Sequence, residues 1–126
     1  MKRFFLLTLA SAALLGASAA PVKTYEVKSP DGRLALVLTA GERLSFTVAR
    51  DGETLVAPSE MALTLSTGEV LGESPRVRSA RRRAVTETID APLYRQSRFD
   101  AAYNELDLRL RGDYGILARA YDDGVC

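Results

Sequence analysis

Downstream of Ala20 the chain alternates apolar and polar side chains with a period of two. Leu44, Phe46 and Val48 interleave with Arg43, Ser45 and Thr47. Met61, Leu63 and Leu65 interleave with Ala62, Thr64 and Ser66, and Leu106, Leu108 and Leu110 with Glu105, Asp107, Arg109 and Arg111. A period of two sends successive side chains to opposite faces, so each stretch predicts a strand with one face on a core and the other in water. Leu34-Ala35-Leu36-Val37-Leu38 is apolar on both faces, as suits a central strand or one covered on both sides. Between these runs, Ser29-Pro30-Asp31-Gly32 and Asp51-Gly52 predict tight reversals in which Gly supplies a positive φ; Thr67-Gly68-Glu69 is a weaker third. Short strands at this spacing predict an all-β fold, an antiparallel sandwich or barrel.

The later stretches are less regular. From Arg76 to Ile89, Val77, Val85 and Ile89 are expected inward and Arg76, Arg78 and Thr86 outward. The run Arg81-Arg82-Arg83 reads as a solvated turn or an edge strand whose charge resists sheet-to-sheet pairing, with an anion site as the alternative. Ala91 to Ala102, containing Pro92, Tyr94 and Phe99, reads as a strand plus an irregular loop. Tyr114 to Tyr121 predicts a strand, and Asp122-Asp123-Gly124 the hairpin turn that follows it. Only Val125 and Cys126 come after, so the expectation is a sandwich incomplete at its C-terminus.

The N-terminus reads as a secretory signal peptide over residues 1–19. Lys2 and Arg3 precede an apolar run from Phe4 to Leu15, and Ala17-Ser18-Ala19 supplies the small residues of a cleavage site between Ala19 and Ala20. That run is too short to cross a bilayer, which takes about 20 residues at helical rise. The expectation is a domain of residues 20–126, exported to the periplasm or beyond, with no membrane association after signal removal.

Histidine is absent from the sequence. This removes imidazole general bases, His-ligated zinc and Ser-His or Cys-His nucleophilic pairs. Tryptophan is absent too, which weakens a sugar-stacking platform, although five Tyr remain. Lys and Arg total 17 against 16 acidic residues, and loss of Lys2 and Arg3 leaves a net charge of about −1. Nothing in that balance favours nucleic acid or an anionic membrane as a partner. Cys126 is the one cysteine and cannot form an internal disulfide.

Several stretches resemble the N-terminal domain of glycoside hydrolase family 97, a family of α-glucosidases and α-galactosidases. They are Val27-Lys28-Ser29-Pro30-Asp31-Gly32-Arg33, Leu44-Ser45-Phe46-Thr47-Val48 running into Asp51-Gly52, and Ser59 to Leu65. The most specific are Tyr103-Asn104-Glu105-Leu106 and Arg119-Ala120-Tyr121-Asp122-Asp123-Gly124-Val125, with a strand between them. The resemblance implies a galactose-mutarotase-like super-sandwich that packs on a (β/α)8 barrel of the same chain. In such enzymes the catalytic carboxylates and most calcium ligands lie in the barrel. It therefore implies carbohydrate and a barrel as partners of the intact enzyme, calcium as its cofactor, and no cofactor or catalytic residue in this chain. The mutarotase chemistry of similar sandwiches uses histidine and is excluded here.

Four residues remain as candidates for binding. Asn104 and Glu105, expected to start a strand, are candidates for polar contacts at the sandwich rim or the barrel interface; the alternative is local hydrogen bonding in the preceding loop. Asp122 and Asp123 are candidates for sugar or ion contact, with turn chemistry as the alternative. Being adjacent, they do not form the carboxylate pair that glycoside cleavage needs, held about 5–9.5 Å apart across a sugar. Asp31 reads as a turn residue, and Tyr25, Tyr94, Tyr103, Tyr114 and Tyr121 as half-buried strand tyrosines. The expected role is a fragment of the N-terminal sandwich of an exported glycosidase, supporting a sugar site in an absent barrel and inactive alone. The alternatives are a free-standing secreted carbohydrate- or partner-binding β-module, and a gene fragment without activity.

Overall fold

The computed structural model describes residues 21–90, 92, 93, 95 and 98–126. The expected signal peptide, the Ala19–Ala20 junction and Tyr94 lie outside the described residues. Among the described residues nine strands follow in order: β1 Lys23–Lys28, β2 Leu34–Ala40, β3 Leu44–Arg50, β4 Glu53–Glu60, β5 Leu63–Thr64, β6 Val70–Leu71, β7 Val77–Asp90, β8 Arg98–Leu110 and β9 Gly115–Ala120. They form an antiparallel sheet β1-β2-β3-β4, a small β5-β6 pair, and a second antiparallel sheet β7-β8-β9.

Side-chain alternation sets how the two larger sheets meet. On β2, Leu34, Leu36, Leu38 and Ala40 are buried while Ala35, Val37 and Thr39 are half-covered. Val27 of β1 and Val48 of β3 join them, facing Leu106, Leu108 and Leu110 of β8 and Ala118 and Ala120 of β9. Leu106 and Leu108 are completely enclosed. Small Ala residues on β9 opposite large Leu residues on β2 let the layers interdigitate, as close packing requires.

The turns behave as their residues predict. Gly32 N–H donates to the Ser29 carbonyl at 2.9 Å, closing the first reversal. Asp51 and Gly52 both take positive φ, which matches a tight hairpin between β3 and β4. After β9 the chain reverses at Asp122–Gly124. The Tyr121 N–H donates to the Gly124 carbonyl at 2.8 Å, and Arg119 and Cys126 exchange backbone hydrogen bonds at 2.7 and 2.9 Å.

Three expectations need correction. The alternating stretch from Met61 to Leu65 contains only the two-residue β5, with Leu63 well exposed, while the longer strand lies upstream at Glu53–Glu60. The Asp51-Gly52 hairpin lays that upstream segment on β3, and Pro58 is tolerated because β4 is an edge strand. Asn104 and Glu105 do not begin a strand: β8 starts at Arg98, because β7 and β8 pair continuously out to Asp90 and Arg98. Glu105, placed on the water-facing side by the alternation of β8, is only 2% exposed.

Candidate functional site

The candidate residues lie at one end of the sandwich, where β1 meets the second sheet. β1 is an edge strand, so half of its backbone groups lack a neighbour in the sheet. Side chains from the opposite sheet supply partners. The Asn104 side-chain amide donates to the Lys28 carbonyl at 2.8 Å, and Arg82 Nε donates to the Glu26 carbonyl at 3.0 Å. Beside them a cleft of about 270 Å³ is lined by Glu26, Lys28, Arg82, Asn104 and Glu105.

Glu105 points away from the apolar core on the outer face of the second sheet. Register places Arg83 of β7 and Arg119 of β9 directly on either side of it. Arg83 Nε donates to one carboxylate oxygen at 2.5 Å and Arg119 Nε to the other at 2.8 Å. The Arg83 hydrogen bond holds the Glu105 carboxyl below its ordinary pKa; burial opposes this, and Arg119 adds to the lowering. The guanidinium of Arg119 also lies over the Tyr103 ring, 4.8 Å from its centroid, and Tyr103 packs at 4.9 Å on Tyr121. Burial pushes the Tyr103 hydroxyl up, and a hydrogen bond with Glu87 adds to that shift. A carboxylate clamped by two guanidiniums is kept ionised, the reverse of the raised pKa that a glycosidase acid needs.

Asp122 and Asp31 join the two turns at this end. The Asp31 backbone N–H donates to Asp122 Oδ1 at 2.9 Å. The Asp31 carboxylate in turn accepts from the buried Ser29 hydroxyl and from the Arg33 N–H, and these two bonds, the serine first, hold it below its ordinary pKa. Asn104 and Asp122 therefore grip the same Ser29-Pro30-Asp31 turn from either side, through Lys28 and through Asp31. Asp123 sits exposed in the last turn. The three arginines of Arg81-Arg82-Arg83 are separated in their work: Arg82 binds a β1 carbonyl and Arg83 binds Glu105. Among the described residues, no three acidic, His or Cys side chains converge to hold a metal.

Sequence reasoning missed the Arg83–Glu105–Arg119 row and the Ser29 anchor. The first becomes legible only once register is known, since the three residues lie on three different strands.

The family model described as Glycosyl-hydrolase 97 N-terminal matches residues 27–126. A retaining alpha-galactosidase of Bacteroides thetaiotaomicron is 37% identical over 103 residues, covering 82% of this chain and 16% of that protein. Among solved structures, a Glycoside Hydrolase Family 97 enzyme from Pseudoalteromonas sp. strain K8, in complex with acarbose, superposes with a TM-score of 0.71 at 15% identity. The match covers 80% of this chain and 16% of that one. A variant of that enzyme in complex with panose gives the same score and coverage. The chain thus spans about one-sixth of the length of the proteins it matches. On the family match and the shared fold together, the chain belongs to the glycosyl-hydrolase 97 N-terminal family.

Proposed function

We propose that this chain is a non-catalytic supporting part of an exported family-97 glycosidase, holding up one wall of a sugar site whose reacting groups lie in a separate barrel. One observation carries the reading: Asn104, Glu105 and Asp122 are each committed to bonds that join strands and turns of the sandwich itself. Groups spent in this way stiffen a scaffold, and both carboxylate oxygens of Glu105 are taken up by Arg83 and Arg119. Calcium, with its six to eight oxygen ligands, belongs in this reading to the rest of the enzyme. Carbohydrate is the ligand of the assembled protein, and α-galactosides are the first class to test, by analogy with the Bacteroides relative.

The test grafts residues 21–126 in place of the matching segment of that alpha-galactosidase. The chimera is expected to fold and hydrolyse an aryl α-galactoside with kcat within about tenfold of the parent, since support acts on geometry and not on bond breaking. The chain alone is expected to leave the same substrate at the buffer rate. Hydrolysis by the chain alone, or a folded chimera without activity, sinks the reading.

A further inference from the structure

The sequence contains three Asp-Gly pairs, at residues 31–32, 51–52 and 123–124. Aspartate followed by glycine is prone to rearrange, because glycine has no side chain to shield its backbone nitrogen from the carboxyl before it. The Gly nitrogen attacks the Asp Cγ and a C–N bond forms. One carboxyl oxygen leaves as water, carrying the carboxyl's own proton and the proton of the nitrogen. Water then opens the five-membered imide. Opening at the main-chain carbonyl leaves isoaspartate, with the backbone routed through the former side chain and the overall mass unchanged.

Two of these pairs meet at one residue. Arg33 Nε donates to Asp51 Oδ1 at 3.0 Å and Arg33 Nη2 to Asp51 Oδ2 at 2.8 Å, a fork that takes both carboxylate oxygens. The Arg33 carbonyl accepts the Asp51 N–H at 2.8 Å. Asp31 is held differently: its carboxylate accepts from the Arg33 backbone N–H at 3.0 Å and from the Ser29 hydroxyl, and the Arg33 side chain takes no part. Rearrangement at Asp51 needs its Cγ turned onto the Gly52 nitrogen and a protonated oxygen free to depart. The fork opposes both. It fixes the rotation of the carboxylate, and its hydrogen bonds hold the carboxyl below its ordinary pKa.

We propose that Asp51–Gly52 is a latent isoaspartate site and that the side chain of Arg33 guards it. Arg50 pairs with Glu53 across this two-residue turn, in which Asp51 and Gly52 both take positive φ. Isoaspartate adds one carbon to the main chain and so lengthens the turn that sets the register of β4 on β3. Both partners of the ion pair are about half exposed, and such a pair adds little to stability. Its effect here is chemical protection of the hairpin.

The experiment ages the full chain and its Arg33→Gln variant for weeks at neutral pH, with the fold of each followed by circular dichroism. Isoaspartate is located by digestion and electron-transfer fragmentation of the peptides. At Asp51 it is expected to form about threefold faster in the variant, the weight of one exposed ion pair. The rate at Asp31 is expected to stay that of the wild type, because the Ser29 hydroxyl and the Arg33 backbone still hold it. Raised salt is expected to speed the reaction at Asp51 in the wild-type chain and not in the variant. Should Arg33→Gln lose its fold, Arg33→Lys takes its place: it keeps the charge and loses the fork, and a smaller rise at Asp51 is expected. An unchanged rate at Asp51 in a folded variant overturns the proposal. So does an equal rise at Asp31 and Asp51, which would mark a general loosening of both turns.

Discussion

Asp122 accepts the backbone N–H of Asp31 at 2.9 Å, across 91 positions of sequence. The bond ties the reversal between β1 and β2 to the turn that follows β9, and so ties the first strand of one sheet to the last strand of the other. One hydrogen bond thus joins the Ser-Pro-Asp-Gly stretch to the Tyr-Asp-Asp-Gly stretch, each of which is otherwise closed by its own bonds.

Replacing Asp122 by Ala removes that acceptor while leaving the turn geometry to Gly124. The loss is expected to be about 1 kcal/mol, the usual worth of one net hydrogen bond. Asp122→Asn keeps a carbonyl oxygen in place and is expected to lose less than half as much. Urea unfolding midpoints of the two variants, taken with an unchanged m-value, measure the difference.

Glu105 is expected to contribute to the acid response. Its carboxyl, like those of Asp31 and Asp51, is held below its ordinary value in the folded chain, by Arg83, Ser29 and Arg33 respectively as the leading cause. A depressed carboxylate binds fewer protons in the folded chain than in the unfolded one near its ordinary pKa. Its stabilisation is therefore complete above that value, 4.5 for the glutamate and 3.8 for the aspartates, and is lost as pH falls through the folded-state pKa. The melting temperature is expected to be flat from neutral pH to about pH 5 and to drop steeply below about pH 4. Glu105→Gln is expected to lower it by roughly 5 °C or more at pH 7 and to flatten the acid limb. Parallel acid limbs for variant and wild type would count against this assignment.

Much of this architecture is legible from period and turn chemistry. The alternation at Leu106, Leu108 and Leu110 and the apolar run from Leu34 to Leu38 mark the two strands whose side chains make the core, and Asp51-Gly52 marks the hairpin between β3 and β4. Misreadings arise where tertiary pairing overrides local pattern. Glu53 to Glu60 is polar at both ends and holds a proline, yet it is a strand because the Asp51-Gly52 turn delivers it to β3. Met61 to Leu65 has the better alternation but pairs for only two residues. Glu105 looks solvent-facing by period and is buried because two arginines from neighbouring strands fold over it. Of the candidate residues, Asn104, Glu105 and Asp122 are visible as polar residues in a distinctive motif. Their partners Lys28, Arg83 and Asp31 are not visible as such, because register across strands is a property of the assembled sheet.

Gly72 and Gly52 separate steric from conformational demand. Both hold positive φ, but a Cβ on Gly52 would meet nothing within 4 Å, whereas one on Gly72 would lie 2.2 Å from the Met61 carbonyl oxygen. Gly52→Ala is expected to cost about 1–2 kcal/mol, the strain of a left-handed residue with a side chain. Gly72→Ala adds a clash with backbone that no rotamer relieves. It is expected to cost clearly more than Gly52→Ala and to displace the Met61–Leu63 segment, visible as new backbone amide shifts around residue 61.

Leu106 and Leu117 lie on neighbouring strands of one sheet but on opposite faces, and they test whether the apolar contact between the two large sheets holds the domain together. Leu106 is fully enclosed against β2 and its neighbours, while Leu117 on the outer face is 49% exposed. If the interface between the sheets is the core, Leu106→Ala opens a cavity with walls on both sheets, and the loss is expected at about 2–5 kcal/mol. Leu117→Ala removes half-solvated surface and leaves no cavity, so its cost is expected at about 1 kcal/mol or less. The ratio matters more than either value, since both substitutions delete the same atoms from a strand of the same sheet. Equal costs from denaturant unfolding would mean that the outer face is also covered in solution, and that the sandwich interface is not the main source of stability.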